Sequence, residues 1–219
     1  MPRALFEKTG DAIWMSHLDL MRVFQRAFKR AGLPLTHTQG YNPRPSVSIA
    51  LPLSVGVQSR CELLDFDLEG SNASDEEICS ALNGALVDGV RVLKVYSDGR
   101  KIRDLALLSC TVTLEYDSGV STDTCERIEK LFAAEQLLVE KKGKNGIVEQ
   151  DIIPMIRKLN VTVADANTVQ LQALICCQNP TLNPAQLVAA IERYLPELKP
   201  NFAKVCRDEI YDGNETIFR

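Results

Sequence analysis

The chain has 219 residues, of which 45% are hydrophobic and 25% are charged, a composition typical of a globular protein with one or two domains. No apolar run approaches the roughly 20 residues of a membrane-spanning helix, and the first residues lack the apolar core of a secretion signal. These absences predict a cytoplasmic protein with no membrane partner. The net charge of −4 also argues against a general polyanion binder.

Charge is nevertheless distributed unevenly along the chain. Residues 1–60 contain eight lysines and arginines against three acids, a local charge of +5 that leaves −9 for the remaining residues. Because local field rather than overall charge steers binding, the first quarter of the chain could hold one localised anionic partner.

The first hundred residues alternate between strand and helix patterns. Apolar residues recur at the helical period from Leu18 to Ala31, Ser16 is a suitable N-cap, and Gly32 is a suitable helix terminator. A second helix is predicted to begin at Ser74, with Glu77 completing a capping box, and to end near Leu86. The predicted strands are Arg3–Lys8, Leu35–Thr38, Val47–Leu53, Cys61–Leu68 and Val90–Tyr96.

After a polar linker over Ser97–Asp104, a similar order of elements returns. The predicted strands are 109–116, 136–141, 168–177 and 204–211, and the predicted helices are 122–134 and 184–194, with a turn at 141–146. Pro154 leaves residues 151–159 open between helix and extended chain. The pattern predicts an α+β protein of two tandem ferredoxin-like (βαββαβ-type) units with antiparallel sheets, in domains 1–98 and 105–219.

The seven cysteines are odd in number and scattered, and no C-x-x-C pair occurs among them. The adjacent Cys176 and Cys177 would point to opposite faces of a strand and could not easily share a metal. This usage is typical of free, buried thiols in a reducing compartment, so we expect no metal and no cofactor in this chain.

The segment Ser16–Gly56 contains the candidate functional residues. Arg22, Arg26 and Arg30 follow one another at i, i+4 and i+8 and therefore line one face of the first helix. Arginine suits bidentate binding of phosphate or carboxylate, although a solvated helix face is the simpler interpretation.

The loop that follows the helix contains the sequence Gly40-Tyr-Asn-Pro-Arg-Pro45. Its two prolines fix φ and bias the preceding residues towards extended backbone, so Tyr41, Asn42 and Arg44 would be held at little entropic cost. Tyr41 could stack on a base while the arginines bind phosphates, as on many RNA-binding surfaces. The alternative is a plain connector between strands.

Intrinsic catalysis has little support in the sequence. His17 and His37 are the only histidines and hence the only side chains suited to acid–base chemistry near neutral pH. Asp65 and Asp67 could face the same side of a strand as paired carboxylates, or simply line an exposed face. The sequence lacks the phosphate-binding, dinucleotide-binding, nucleophile-elbow and zinc-protease motifs.

Several stretches resemble a bacterial domain family of unknown function: FEKTG, SHLDLMRVFQRAFKRAGLPL, QGYNPRPSVSIALPLSVGV, CELLDFDL and the final CRDEIYD. Members of that family are found fused to, or encoded beside, radical S-adenosylmethionine proteins. The resemblance implies such a partner and, by analogy, a role in RNA modification. It places the family's recurring positions at Ser16, His17, Asp19, Arg22, Arg26, Gly40, Asn42, Pro43, Pro45, Leu51, Pro52 and Gly56.

Three hypotheses follow for the function. The first is a non-catalytic module that presents RNA (tRNA or rRNA) or another anionic substrate to a radical enzyme. Its binding residues would be Arg22, Arg26, Arg30, Tyr41, Asn42 and Arg44, supported by Ser16, His17, Asp19, Gly40, Pro43 and Pro45. The second is a protein adaptor that contacts the radical enzyme without RNA, and the third is a metal-independent ribonuclease using His17 or His37.

Overall fold

The computed structural model describes residues 1–143 and 146–219. A similar order of strands and helices occurs in each half of the chain. Contacts divide the chain into a first unit, residues 1–104 with Arg219, and a second unit, residues 105–218. Within the described residues there are four α-helices, and the sheet is mostly antiparallel. The predicted α+β class is therefore confirmed.

The first unit packs two helices on one face of a four-stranded sheet. The strands are β1 (Arg3–Lys8), β2 (Val47–Ile49), β3 (Gln58–Phe66) and β4 (Val90–Tyr96), and the helices are α1 (His17–Arg30) and α2 (Asp75–Asn83). The strand order is β4-β1-β3-β2, and every neighbouring pair is antiparallel.

Aromatic side chains form much of the contact between α1 and this sheet. Phe6 of β1 meets Phe24 of α1 edge to face, with ring centroids 4.8 Å apart, and Phe28 lies 4.9 Å from Phe66 of β3. All four rings are buried, so each contributes on the order of 2–3 kcal/mol of hydrophobic stabilisation. The packing fixes α1 with its polar side towards solvent.

Two predicted strands of the first unit are shorter than expected. The stretch Leu35–Thr38 forms only isolated bridges, at Leu35 with Leu68 and at His37 with Pro45. The predicted strand Val47–Leu53 ends at Ile49 because Leu51 adopts a positive φ of 47°, which turns the chain away from β3.

The second unit repeats the arrangement and adds a hairpin. Its strands are β5 (Leu105–Glu115), β6 (Leu138–Gly143), β7 (Gly146–Asp151), β8 (Ile156–Asp165), β9 (Thr168–Cys176) and β10 (Phe202–Asp212). Its helices are α3 (Thr124–Phe132) and α4 (Ala185–Tyr194). The main strand order is β10-β5-β9-β8, and β6 pairs with β7.

The region 151–159, left open by the sequence, divides between two structures. Ile153–Met155 form a short 3₁₀ turn with Pro154 in its first positions, and β8 starts directly after it. Lys144 and Asn145, within the predicted turn 141–146, lie outside the described residues. No helix in the described part of the chain combines the length and apolar character needed to span a bilayer.

The capping box predicted for α2 is present and gives a testable pH dependence. Glu77 N–H donates to Ser74 Oγ at 3.3 Å, while Ser74 N–H donates to the Glu77 carboxylate at 2.8 Å. The hydrogen bond from the Ser74 backbone is the main cause that lowers the pKa of Glu77. The ionised Glu77 carboxylate therefore stabilises the fold fully above the pKa that a glutamate has in the unfolded chain. This stabilisation is lost as the pH falls through the lower pKa of Glu77 in the folded protein.

We expect the free energy of unfolding to fall between about pH 5 and pH 3, and Glu77→Gln to remove part of that slope. Urea unfolding at a series of pH values measures it. Asp19 and Asp123 also have lowered pKa values and contribute slopes of the same sign, so part of the dependence remains in the variant. An unchanged slope in Glu77→Gln would show that the box does not stabilise the fold.

Candidate functional site

Helix α1 presents the predicted basic face because its opposite side is buried in the core. Leu20, Phe24, Ala27 and Phe28 are the buried residues of the helix. Ser16 caps its start, with Oγ accepting from Asp19 N–H at 3.2 Å, and Gly32, with φ of +68°, ends it. The caps expected from the sequence are thus present.

Arg22 is held by an ion pair on this face. Its Nη1 donates to Asp19 Oδ1 at 3.0 Å, and both side chains are more than half exposed. Ser16 Oγ donates to the other carboxylate oxygen of Asp19 at 2.7 Å. The Ser16 hydroxyl is the first cause, and Arg22 a further one, that holds the pKa of Asp19 below its usual value. An exposed pair of this kind is weak and can exchange for a ligand phosphate.

The three arginines of the predicted row have different surroundings. Arg30 donates from Nη2 to the carbonyl oxygen of Ala85, just after α2, so its guanidinium is tied to the protein. Arg26 is exposed and has neither a hydrogen bond nor an ion pair with the rest of the described chain. Lys29, also exposed, extends the basic face beyond the residues we predicted.

The loop after α1 forms a narrow hairpin. Thr38 N–H donates to Arg44 O at 2.9 Å, Arg44 N–H returns to Thr38 Oγ1 at 3.0 Å, and Ser46 N–H donates to Thr36 O at 2.8 Å. The hairpin tip, residues 39–43, extends into solvent, and Tyr41 is fully exposed. Gly40 has φ of +139°, a backbone conformation that a residue with a Cβ rarely adopts.

A cavity of about 400 Å³ lies between α1 and the base of this hairpin. Its lining residues are Gln25, Phe28, Lys29, Leu33, Pro34, Leu35, His37, Pro45 and Glu69. None of the four predicted arginines belongs to this lining of described residues. From α1, Gln25, Phe28 and Lys29 line this cavity, whereas Arg22 and Arg26 lie on the exposed side of the helix.

The two histidines lie at opposite ends of α1. His17 is the first residue of the helix and is half-buried, whereas His37 is exposed and lines the cavity beside Phe28. His17 and Phe28 are 11 positions apart, which corresponds to about 16 Å along a helix axis. The described residues also contain no group of three or more His, Cys, Asp or Glu side chains that could hold a metal.

Asp65 and Asp67 do not form a carboxylate pair. Asp65 accepts from Arg3 Nε at 2.5 Å and from Nη2 at 3.1 Å, whereas Asp67 accepts from Thr36 Oγ1 at 3.0 Å. Each carboxylate has a structural partner of its own. All seven cysteines are free, and burial raises the pKa of Cys110 and of Cys177 to about 12, which makes both thiols poor nucleophiles.

Sequence reasoning missed Lys8, which is only 1% exposed. Its Nζ donates to the carbonyl oxygens of Ile13 and Met15, each at 3.0 Å, and thereby fixes the chain just before α1. Burial lowers the pKa of Lys8, and the charge of Glu62 partly opposes that shift. A signal was available, because strand alternation puts Lys8 in the same phase as the core residues Ala4 and Phe6.

Sequence reasoning also missed Trp14, the single tryptophan of the chain. It ends a short 3₁₀ turn, Gly10–Trp14, and is 62% exposed at the start of α1. Leu18, in the first turn of α1, is 65% exposed. The basic face therefore continues at its N-terminal end into an apolar area, and no sequence pattern predicted this exposure.

The site belongs to an α+β protein with an exposed basic helix and a hydrogen-bonded hairpin that follows it. The chain belongs to the family described as uncharacterized protein conserved in bacteria (DUF2344), whose model matches residues 2–184. The predicted membership of a bacterial family of unknown function is thus confirmed. Among curated proteins, none matches the chain significantly.

Three solved structures are similar to this chain over nearly its whole length. An H/ACA RNP bound to a substrate RNA containing 2′-deoxyuridine matches 94% of it with 8% identity and a TM-score of 0.47. A Cbf5-Nop10-Gar1 complex matches 95% with 10% identity and a TM-score of 0.49. The chain spans about half the length of these two matched chains, 46% and 48%.

The third structure is an unknown protein from Galdieria sulphuraria. It matches 96% of this chain and 96% of its own length, with 13% identity and a TM-score of 0.26. At TM-scores below 0.5, these likenesses establish no shared activity, and the function has to be argued from the site itself.

Proposed function

We propose that this protein is a non-catalytic module that binds RNA on the exposed side of α1 and the adjacent hairpin tip, and presents it to a partner modifying enzyme. The observation that carries the proposal is the exposed cationic row of α1, in which Arg26 has no partner in the described chain and Arg22 has only a weak one. Tyr41 and Arg44 at the neighbouring hairpin supply an aromatic ring and a further charge.

Electrostatics favour this surface over the rest of the chain. Residues 16–46, which form α1 and the hairpin, contain five lysines and arginines against one acid, a local charge of +4 in a protein of net charge −4, so an anionic ligand is attracted to this segment. Guanidinium groups suit phosphate oxygens, and an aromatic side chain suits an unpaired base. We assign the binding role to Arg22, Arg26, Tyr41, Asn42 and Arg44, and assign Arg30 a supporting role because it contacts Ala85.

We further infer that each unit has the ferredoxin-like topology. The orders β4-β1-β3-β2 and β10-β5-β9-β8 correspond to each other element by element, once the β6–β7 hairpin is treated as an insertion. This supports domains 1–98 and 105–219, with the contact boundary at Asp104 and Leu105. Such a sheet leaves one face of each helix in solvent, where α1 carries its arginines.

The proposal predicts salt-dependent binding that depends on Arg22 and Arg26. For a labelled tRNA or rRNA fragment, removing two phosphate contacts should reduce the slope of log affinity against log salt by about 1.5 to 2. We expect the Arg22→Ala, Arg26→Ala double variant to show this change, with at least a tenfold loss of affinity at moderate salt. Fluorescence anisotropy over a salt series measures both quantities.

Arg91→Ala is the matched control for this experiment. Arg91 is exposed on β4, which lies at the opposite edge of the first unit's sheet from β2. The control removes one positive charge, half of what the double variant removes, outside the proposed surface, so it should leave both slope and affinity nearly unchanged. Equal losses in the control and the double variant, or binding without a salt slope, would contradict an RNA site on α1.

The modifying partner is proposed to be a radical S-adenosylmethionine protein, on the family resemblance alone. We expect such a protein encoded beside this one to co-purify with it and to act on RNA less efficiently in its absence. Co-purification that persists after nuclease treatment, together with an absence of RNA binding by this chain, would favour the simple adaptor instead.

A further inference from the structure

Trp14 is exposed, yet contacts to its ring and to the neighbouring backbone hold it in place. Its ring lies against Gly56, where a Cβ would approach Trp14 Cζ3 to 3.3 Å. Gly56 has φ of +82°, and its N–H donates to the carbonyl oxygen of Ile13 at 2.9 Å. Glycine therefore gives the ring a flat backbone support and leaves the rest of the indole in solvent.

The backbone on both sides of Trp14 is fixed by the buried Lys8. Nζ of Lys8 donates to Ile13 O and to Met15 O, which are the carbonyl groups directly before and after the tryptophan. Burying an ammonium group is costly unless it is hydrogen-bonded. Both hydrogen bonds of Lys8 fix the backbone on the two sides of Trp14. An aromatic ring fixed in this way loses little entropy when it binds a ligand.

The exposed Trp14 ring precedes a row of α1 residues that begins with an apolar side chain and continues with cationic ones. Leu18 is exposed in the first turn of α1, and Arg22 and Arg26 follow at four-residue intervals, each about 6 Å further along the helix. Val55, beside Gly56, is also exposed. An aromatic face followed by guanidinium groups matches a nucleic acid strand, which offers a base to stack and phosphates to pair.

We propose that Trp14 is a stacking platform for one unpaired nucleobase of the bound strand, which enters along Leu18, Arg22 and Arg26. This inference rests on the RNA-binding function proposed above and specifies its ligand as single-stranded. Because every base has a π-face, the platform selects for unpaired bases rather than for sequence. A protein partner covering Trp14, Leu18 and Val55 is the competing occupant.

The test uses the full chain and two strands of equal charge, a 12-nucleotide oligouridylate and an abasic strand of the same length. Since Trp14 is the only tryptophan, its emission reports stacking directly. We expect oligouridylate to quench the emission and to bind about tenfold more tightly than the abasic strand. Salt dependence should be the same for both strands, since both carry the same phosphates.

Trp14→Leu keeps an apolar side chain and should remove most of the tenfold preference, leaving only what Tyr41 contributes, while abasic binding and its salt slope stay intact. Trp14→Phe keeps a smaller ring and should retain part of the preference. Equal affinities of the natural chain for both strands would contradict the stacking role of Trp14 but not RNA binding by the basic face of α1. Binding of neither strand would overturn the RNA function itself. Quenching by a co-purified partner protein, with no preference between strands, would assign Trp14 to a protein interface.

Discussion

Lys8→Met is expected to destabilise the protein by about 3 kcal/mol. The substitution keeps the length of the side chain but removes the donor to Ile13 O and Met15 O, both bonded at 3.0 Å. It also removes the positive charge near Glu62, a carboxylate that is only 1% exposed. Removing a buried positive charge together with two hydrogen bonds to backbone carbonyl oxygens is among the costlier single-residue changes in folded proteins.

Urea unfolding measures this effect, and Lys94→Met is its matched control. Lys94 is exposed on β4, so its replacement should change the free energy of unfolding by no more than about 0.5 kcal/mol. The double variant Lys8→Met, Glu62→Gln should recover part of the loss, because it also neutralises the buried carboxylate that Lys8 influences. A loss of under about 1 kcal/mol in Lys8→Met would show that the hydrogen bonds do not fix this segment.

The same residue has a pH signature. Because burial lowers the pKa of Lys8, the unfolded chain binds more protons than the folded chain between the lowered value and about pH 10.4. The contribution of Lys8 to stability therefore rises with pH across that interval. Tyr96 acts in the opposite direction, since burial raises its pKa. The difference between the natural chain and Lys8→Met isolates the lysine.

If Lys8 holds Trp14 in place, Lys8→Met should also weaken base stacking more than phosphate binding. The preference for oligouridylate over the abasic strand would then fall while the salt slope stays unchanged. A fall in this preference with an unchanged salt slope indicates that Lys8 positions Trp14. A general loss of stability would instead reduce the binding of both strands equally.

Helix α1 was predictable because its signals are local. The apolar period, the Ser16 cap and the Gly32 terminator all lie within the helix or one or two residues from it. The hairpin after it was partly predictable: two prolines indicated rigidity, but the bonds from Thr38 to Arg44 pair residues across a turn whose register the sequence does not specify. The predicted strand Leu35–Thr38 is therefore present only as isolated bridges at Leu35 and His37.

The functional surface was less predictable than the helix that carries it. The spacing of Arg22, Arg26 and Arg30 indicated one face, yet Arg30 contacts Ala85, a residue 55 positions away that no local pattern connects to it. The exposure of Trp14 depends on Gly56 and on the carbonyl groups that Lys8 binds. Contacts of this kind are set by the tertiary fold, so a single sequence contains no local signal for them.

Asp65→Ala is expected to cost about 3 kcal/mol of stability, because it breaks the ion pair that joins β1 to β3. Arg3 is 5% exposed and binds Asp65 through two guanidinium nitrogens, at 2.5 and 3.1 Å, while its Nη1 donates to Arg100 O at 2.8 Å. Without Asp65 the buried guanidinium retains the Arg100 carbonyl but loses the carboxylate that binds two of its nitrogens. The bidentate geometry also makes lysine a poor substitute for Arg3.

Asp67→Ala is the matched control for this ion pair, since Asp67 follows two residues later and accepts only a hydroxyl bond, 3.0 Å from Thr36 Oγ1. It should cost about 1 kcal/mol. Three times that loss in Asp65→Ala, measured by urea unfolding, would identify the Arg3 pair as the stronger link between the strands. Equal losses in the two variants would instead mean that Arg3 finds sufficient compensation at Arg100, and that the ion pair is a minor part of the fold.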